Sequence, residues 1–117
     1  MSSTERGRVA EKLAANYLVQ RGHQILAQNW RNRYAELDIV TIKASVIHIV
    51  EVKYRLSTEH GGGLEYITPD KVIRLQNAAQ IWMREQNLDS AFQIDIITVT
   101  GQLTRPVIDY LANAIII

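Results

Sequence analysis

Residues 36–53 read ELDIVTIKASVIHIVEVK, and the fold turns on them. The stretch divides at Ala44-Ser45 into two strand-like runs, each with apolar residues on both faces, the pattern of strands covered on each side. They are expected to be central. Side chains two apart on a strand share a face, so Glu36 and Asp38 emerge together, as do Glu51 and Lys53. A symmetric hairpin through Ala44-Ser45 puts Asp38 opposite Glu51 and Glu36 opposite Lys53. A slip of one residue would destroy both matches.

That register carries a conflict. Carboxylates opposed on adjacent strands repel, and half-buried strands make an unpaired charge expensive. A compensating cation is therefore expected. Lys53 supplies part of it, and Mg²⁺ (or Mn²⁺), a hard ion that prefers carboxylate and water oxygens, supplies the rest. Such an ion polarises a phosphoryl oxygen and lowers the pKa of its bound water. A nearby ammonium orients that water or stabilises the charge that builds on phosphorus. Phosphodiester hydrolysis is the reaction that fits. Glu51-Val52-Lys53 alone is a common acid-base pair; its weight comes from the apolar strand around it and from Glu36-Leu37-Asp38 in matching register.

Outward from the hairpin, a first helix is predicted from Ser3 or Thr4 to Arg21. Serine or threonine caps it, Glu5 lies in its first turn and Gly22 follows its end. Ala10, Leu13, Ala14, Tyr17 and Leu18 form one apolar face at helical spacing. QILAQNW, residues 24–30, reads as a strand. Leu56 to Ile67 has no period and contains Gly61, Gly62 and Gly63, so a mobile loop or flap over the substrate is expected. A second helix starts at Thr68-Pro69-Asp70 and runs to about Gln86, with Val72, Leu75, Ala79 and Trp82 on one face. FQIDIITVT, residues 92–100, is a fourth strand, ended by Gly101. The tail from Leu103 allows a short strand at Val107, a final helix over DYLANAI, or both. The order predicts an α/β fold, a mixed central β-sheet flanked by helices. It forms one domain over 1–117, with a core at about 3–101 and a tail at 102–117.

The bulk properties agree. A chain of 117 residues, 47% hydrophobic and 21% charged, buries enough surface to fold without staples. It has no cysteine, which removes thiolate metal sites, cysteine nucleophiles and disulfides. The amino terminus lacks an apolar stretch of secretory type, and no run approaches the ~20 residues that span a bilayer. A cytoplasmic location without membrane contact is expected. The net charge of +1 leaves any nucleic-acid role to the placement of charges rather than their sum.

In combination, GRVAEKLAANYLVQRGHQILAQNWR (7–31), AELDIV (35–40) and IVEVKYR (49–55) resemble the YraN family of bacterial proteins, over nearly the whole chain to Gly101. That family is related to archaeal Holliday-junction resolvases within the PD-(D/E)xK nuclease superfamily. The resemblance implies a restriction-endonuclease-like sheet with the active site on its central hairpin. Asp38 then matches the motif aspartate, Glu51 and Lys53 match the ExK pair, and Glu11 matches an acid of the first helix that reaches toward the metal. Resolvase relatives cut paired strands as dimers, so a homodimer is implied as well. One departure stands: Ala35 occupies a place where the family usually has Gly.

Glu11 also has its own reading, at the border of the apolar face beside Ala14 and Leu18. From that position it either points into a cleft or is an ordinary solvated helix acid. Arg31, Arg33 and Arg55 bracket the hairpin site, and Lys71 and Arg74 lie early in the second helix. These five are candidate phosphate contacts, or simply water-facing charges. Tyr34 and Tyr54 stack on bases or pack on the sheet. His48 alternates with Val46 and Val50, away from Glu51, and is expected to be structural; His60 is a lone loop histidine. The apolar end, Ala114 to Ile117, docks on a partner or packs within the domain.

The leading expectation is a Mg²⁺-dependent endonuclease or structure-selective nuclease acting on DNA, branched or structured DNA included, with RNA the less favoured substrate. Asp38 and Glu51 bind metal, Glu11 assists, Lys53 activates water, and Glu36 tunes the site or pairs with Lys53. The alternative is a noncatalytic nucleic-acid-binding or assembly module that keeps the nuclease fold.

Overall fold

Ser2 starts the first helix: its hydroxyl accepts the Glu5 N–H at 3.1 Å, satisfying one of the free donors of the first turn. Helix α1 spans Ser3–Gln20. Gly22, at φ +90°, then turns the chain into the sheet. The computed structural model describes residues 1–56 and 68–114. The expected glycine flap and His60 lie outside the described residues, as does the apolar end beyond Ala114.

The strands are β1 (Gln24–Arg31), β2 (Glu36–Lys43), β3 (Val46–Arg55), β4 (Phe92–Thr100) and β5 (Val107–Leu111), with helix α2 (Pro69–Glu85) between β3 and β4. They form one sheet in the order β1-β2-β3-β4-β5. Only β3 and β4 run parallel, and α2 lies in the crossover that joins them. The other three pairs are antiparallel. This mixed sheet flanked by helices is a restriction-endonuclease-like α/β fold.

The hairpin that decides the fold has the expected phase, Lys43↔Val46 through Ile39↔Val50. Its two-residue turn places both Ala44 (φ +50°) and Ser45 (φ +65°) in left-handed backbone, as the twist of a tight hairpin demands. Because each central strand is apolar on both faces, the sheet carries two cores. Val40, Ile47 and Ile49 pack with Leu75, Ala78, Ala79 and Trp82 of α2. Ile39, Val50, Ile97 and Val99 pack with Ala10, Ala14, Ala15 and Leu18 of α1. Truncating a fully buried leucine in either layer, Leu18 or Leu75, costs roughly 2–5 kcal/mol.

The tail resolves in favour of the strand. Asp109, Tyr110 and Leu111 lie in β5, bonded to the edge of β4, so the alternative of a helix over DYLANAI does not hold at these three residues. The open edge of β4 satisfies backbone groups that a terminal helix would have left to itself. Ala114 continues the attachment by donating its N–H to the Ile94 carbonyl at 2.8 Å.

Candidate active site

Beyond Ile39↔Val50 the two hairpin strands stop pairing regularly. Asp38 fills the gap: its Oδ2 accepts the Val52 N–H at 2.9 Å, so a side chain does what a backbone carbonyl does elsewhere in the ladder. Asp38 and Glu51 therefore share the α2 side of the sheet, as their register demands, but not as a laddered cross-strand pair. The expected Glu36–Lys53 pair is also corrected. Glu36 bonds Arg31, its neighbour in the β1–β2 register, at 3.0 Å, and Lys53 lies 3.5 Å from Glu51. The splay of the hairpin carries Glu36 toward β1.

Asp38, Glu51, Glu36, Lys71, Arg74 and Tyr34 line a cleft of about 280 Å³. Glu51 is 6% exposed, and its Oε1 receives the Lys71 ammonium at 2.6 Å. Burial, reinforced by the Glu51 charge, pushes the Asp38 carboxyl up to about 7; the Val52 N–H opposes this, and Glu11 and Glu36 add to it. Lys53 is held below the usual lysine range by burial and by the adjoining Lys71 ammonium, against the pull of Glu51. For Lys71, burial works downward, but its hydrogen bonds to Glu51 and Lys53 raise its pKa overall.

Glu11 opens on a neighbouring concavity of about 420 Å³, lined also by Arg8, Asn29, Arg31 and Glu36. Glu36 belongs to both hollows. Burial raises the Glu11 pKa, a hydrogen bond from Asn29 lowers it, and the charges of Glu36 and Glu51 raise it again. Among the described residues, no group of three or more acids, histidines or cysteines is arranged to hold a metal ion by itself. Asp38 and Glu51 face the cleft as a carboxylate pair, and Glu36, which also lines it, is bonded to Arg31. That suits a small hard ion that keeps most of its water and takes one or two carboxylates together with substrate phosphates.

Sequence reasoning missed Asn29 and Arg8. Asn29 sits within β1 at φ +53°, a conformation that a strand interior rarely contains. Nothing in the local pattern announces it. Arg8 was open to detection, since it precedes Glu11 by three positions on the same helix face. Of the predicted basic residues, Lys71 and Arg74 line the cleft and Arg31 is tied to Glu36. Arg33 lies over the exposed Tyr34 ring at 5.0 Å. Arg55 ends β3, its carbonyl accepting the Gly101 N–H at 2.9 Å. Tyr54 packs on the α1 core and donates its hydroxyl to the Gly101 carbonyl at 3.1 Å. Ala35 has no left-handed backbone, so the departure from glycine strains nothing; its N–H bonds Asn32 Oδ1 at 2.9 Å.

The α1 side of the same strands buries a different polar cluster. Asp95 is fully buried and accepts from His48 Nδ1 at 2.6 Å, Gln93 Nε2 at 2.8 Å, the Asn113 N–H at 2.7 Å and the Tyr110 hydroxyl. His23 Nδ1 lies 2.6 Å from Thr41 Oγ1, and its ring meets His48 edge-on at 4.7 Å. His48 is thus structural, as expected.

Comparison with known proteins identifies relatives over most of the chain. Residues 10–99 match the model of the uncharacterised protein family UPF0102. A UPF0102 protein of Mycolicibacterium vanbaalenii is 39% identical over 99 residues, covering 84% of this chain and 82% of the relative. One from Vibrio cholerae serotype O1 is 36% identical, covering 98% of this chain and 95% of the relative. One from Bifidobacterium longum is 37% identical, covering 92% and 90%. No helix among the described residues is long and apolar enough to cross a membrane.

Proposed function

The chain belongs to the UPF0102 family, which includes YraN-like bacterial proteins related to the PD-(D/E)xK nuclease superfamily, and from its cleft we propose a metal-dependent endonuclease that hydrolyses phosphodiester bonds of DNA. One observation carries the reading: two carboxylates and a lysine of adjacent strands, Asp38, Glu51 and Lys53, gathered beside one open cleft. A structural pair would not need Asp38 to be held in partial conflict with Glu51.

Asp38 and Glu51 would hold Mg²⁺ or Mn²⁺, with water and substrate phosphate completing the shell. When bound, the ion supplies Lewis acidity and a more acidic water. Lys53, 3.5 Å from Glu51, would stand next to such a water. Its lowered pKa would bring its amine nearer to accepting a proton from that water, and as an ammonium it would stabilise charge on the phosphoryl oxygens. Arg74 and Lys71, on the helix wall of the cleft, hold the phosphate. Glu11, hydrogen-bonded by Asn29 in the neighbouring hollow, would assist from there, as its acidic charge adds to those of Glu36 and Glu51.

A panel of duplex, branched, flapped and single-stranded substrates with Mg²⁺ or Mn²⁺ tests the proposal. Wild type should cut at least one substrate, and Asp38→Ala and Lys53→Ala should each lose on the order of 10²-fold or more in rate while keeping native circular dichroism. Binding by wild type without cutting would replace the enzyme with a nucleic-acid-binding module, a reading favoured by the ion pair already closed on Glu51.

A further inference from the structure

Glu51 already holds a cation. Lys71 approaches Oε1 to 2.6 Å, nearer than Lys53 at 3.5 Å, although Lys53 is the lysine of the strand motif. The two lysines differ in how they are held. Lys53 leaves β3 two residues after Glu51, on the same pleat face. Lys71 comes from the first turn of α2, whose cap Thr68 accepts the Lys71 N–H at 3.2 Å. Its backbone is pinned while its four-carbon stem and compact ammonium are free to swing.

An ion bound to a carboxylate oxygen at roughly 2.1 Å cannot share that oxygen with an ammonium in hydrogen-bond contact without strong repulsion. We propose that Lys71 is a displaceable counter-ion: it neutralises Glu51 in the metal-free protein from the position that a divalent ion takes, and it leaves that carboxylate when the ion enters. The inference rests on the metal-site reading above and deepens it. Metal affinity is set by an internal competitor, and Lys71 becomes free to meet phosphate, beside Arg74 one turn along the same wall, only after the ion has arrived.

Mn²⁺ titration of the full chain, followed by calorimetry, tests this on Lys71→Gln against Lys12→Gln, which removes the same charge from an exposed position on α1. Lys71→Gln should bind Mn²⁺ about fivefold or more tighter than the control, as expected when a competing charge is removed. Equal or weaker binding overturns the proposal and leaves the metal site standing. Absence of Mn²⁺ binding in wild type and both variants sinks the metal site itself and the proposal with it. A measurement on wild type covers the case in which Lys71→Gln does not fold. The Lys71 ε-CH₂ resonance, ¹³C-labelled, should shift on adding Mg²⁺ while that of Lys12 does not; a Lys71 signal unmoved at saturating Mg²⁺ overturns the proposal.

Discussion

Asp38 and Asp95 are acids of one sheet on opposite faces, the first half-buried and the second fully buried, and their protonation is driven in opposite directions. On the α1 side Asp95 has four donors around it, and they hold its carboxyl below the usual range although burial alone would raise it. On the α2 side Asp38 has the Val52 N–H and, against it, the charges of Glu51, Glu11 and Glu36. Burial is common to both; the supply of donors decides the sign. One face has spent its polar groups on holding the fold together. The other leaves Asp38 with one donor and like charges around it, the kind of conflict that clusters at functional sites.

Breaking the well-supplied face should have the largest effect on stability. Asp95→Ala leaves the Tyr110 hydroxyl, the Gln93 amide, the Asn113 N–H and His48 without their acceptor, and it detaches the end of β5. A loss of about 4 kcal/mol in urea unfolding is expected. The equivalent change on the other face should have the opposite sign. Asp38 has a folded-state pKa raised from 3.8 to about 7, so its contribution to stability is full below about pH 4 and is lost as pH rises through 7. Asp38→Asn removes that loss, and at pH 8 it should stabilise the metal-free protein by on the order of 2 kcal/mol, with little gain at pH 4. Asp95 behaves in reverse: its lowered pKa gives stability that is present at neutral pH and lost on acidification. A destabilised Asp38→Asn at pH 8 would mean that the two faces are not different in kind. The smallest effect sharpens the picture. Glu36→Gln removes one of the like charges beside Asp38, and the Asp38 pKa followed by NMR titration should fall by a few tenths of a unit.

Much of this was legible because the informative residues lie on one local hairpin. Period-two patterning and a two-residue turn give the phase of β2 against β3, and with it the gathering of Asp38, Glu51 and Lys53. What the pattern could not reveal was where the ladder would stop, since Asp38 replaces a backbone acceptor with its own side chain. Lys71 was named as a phosphate contact, yet its bond to Glu51 crosses from helix to strand over a separation of 20 residues, beyond any local rule. The Asp95 cluster was hidden for a similar reason: His48 and Asp95 are 47 residues apart and meet only through the parallel β3–β4 pairing. Asn29 was hidden by its backbone, because an Asn in a strand pattern does not disclose a positive φ. In the tail, a short strand at Val107 and a helix over DYLANAI were both open, and the β4 edge extends the strand through Leu111.

The parallel seam between β3 and β4 has a consequence for the chain as it leaves the ribosome. Three of the four seams close over short connections, but β3 waits for Phe92–Thr100 to be translated before its outer side is covered. Until then VIHIV is an apolar ribbon with free amides, the kind of edge that recruits foreign strands. Glu51 and Lys53 lie at the end of that ribbon, and charges so placed act as gatekeepers against self-association. The same two side chains that set up the cleft thus interrupt the apolar run of β3.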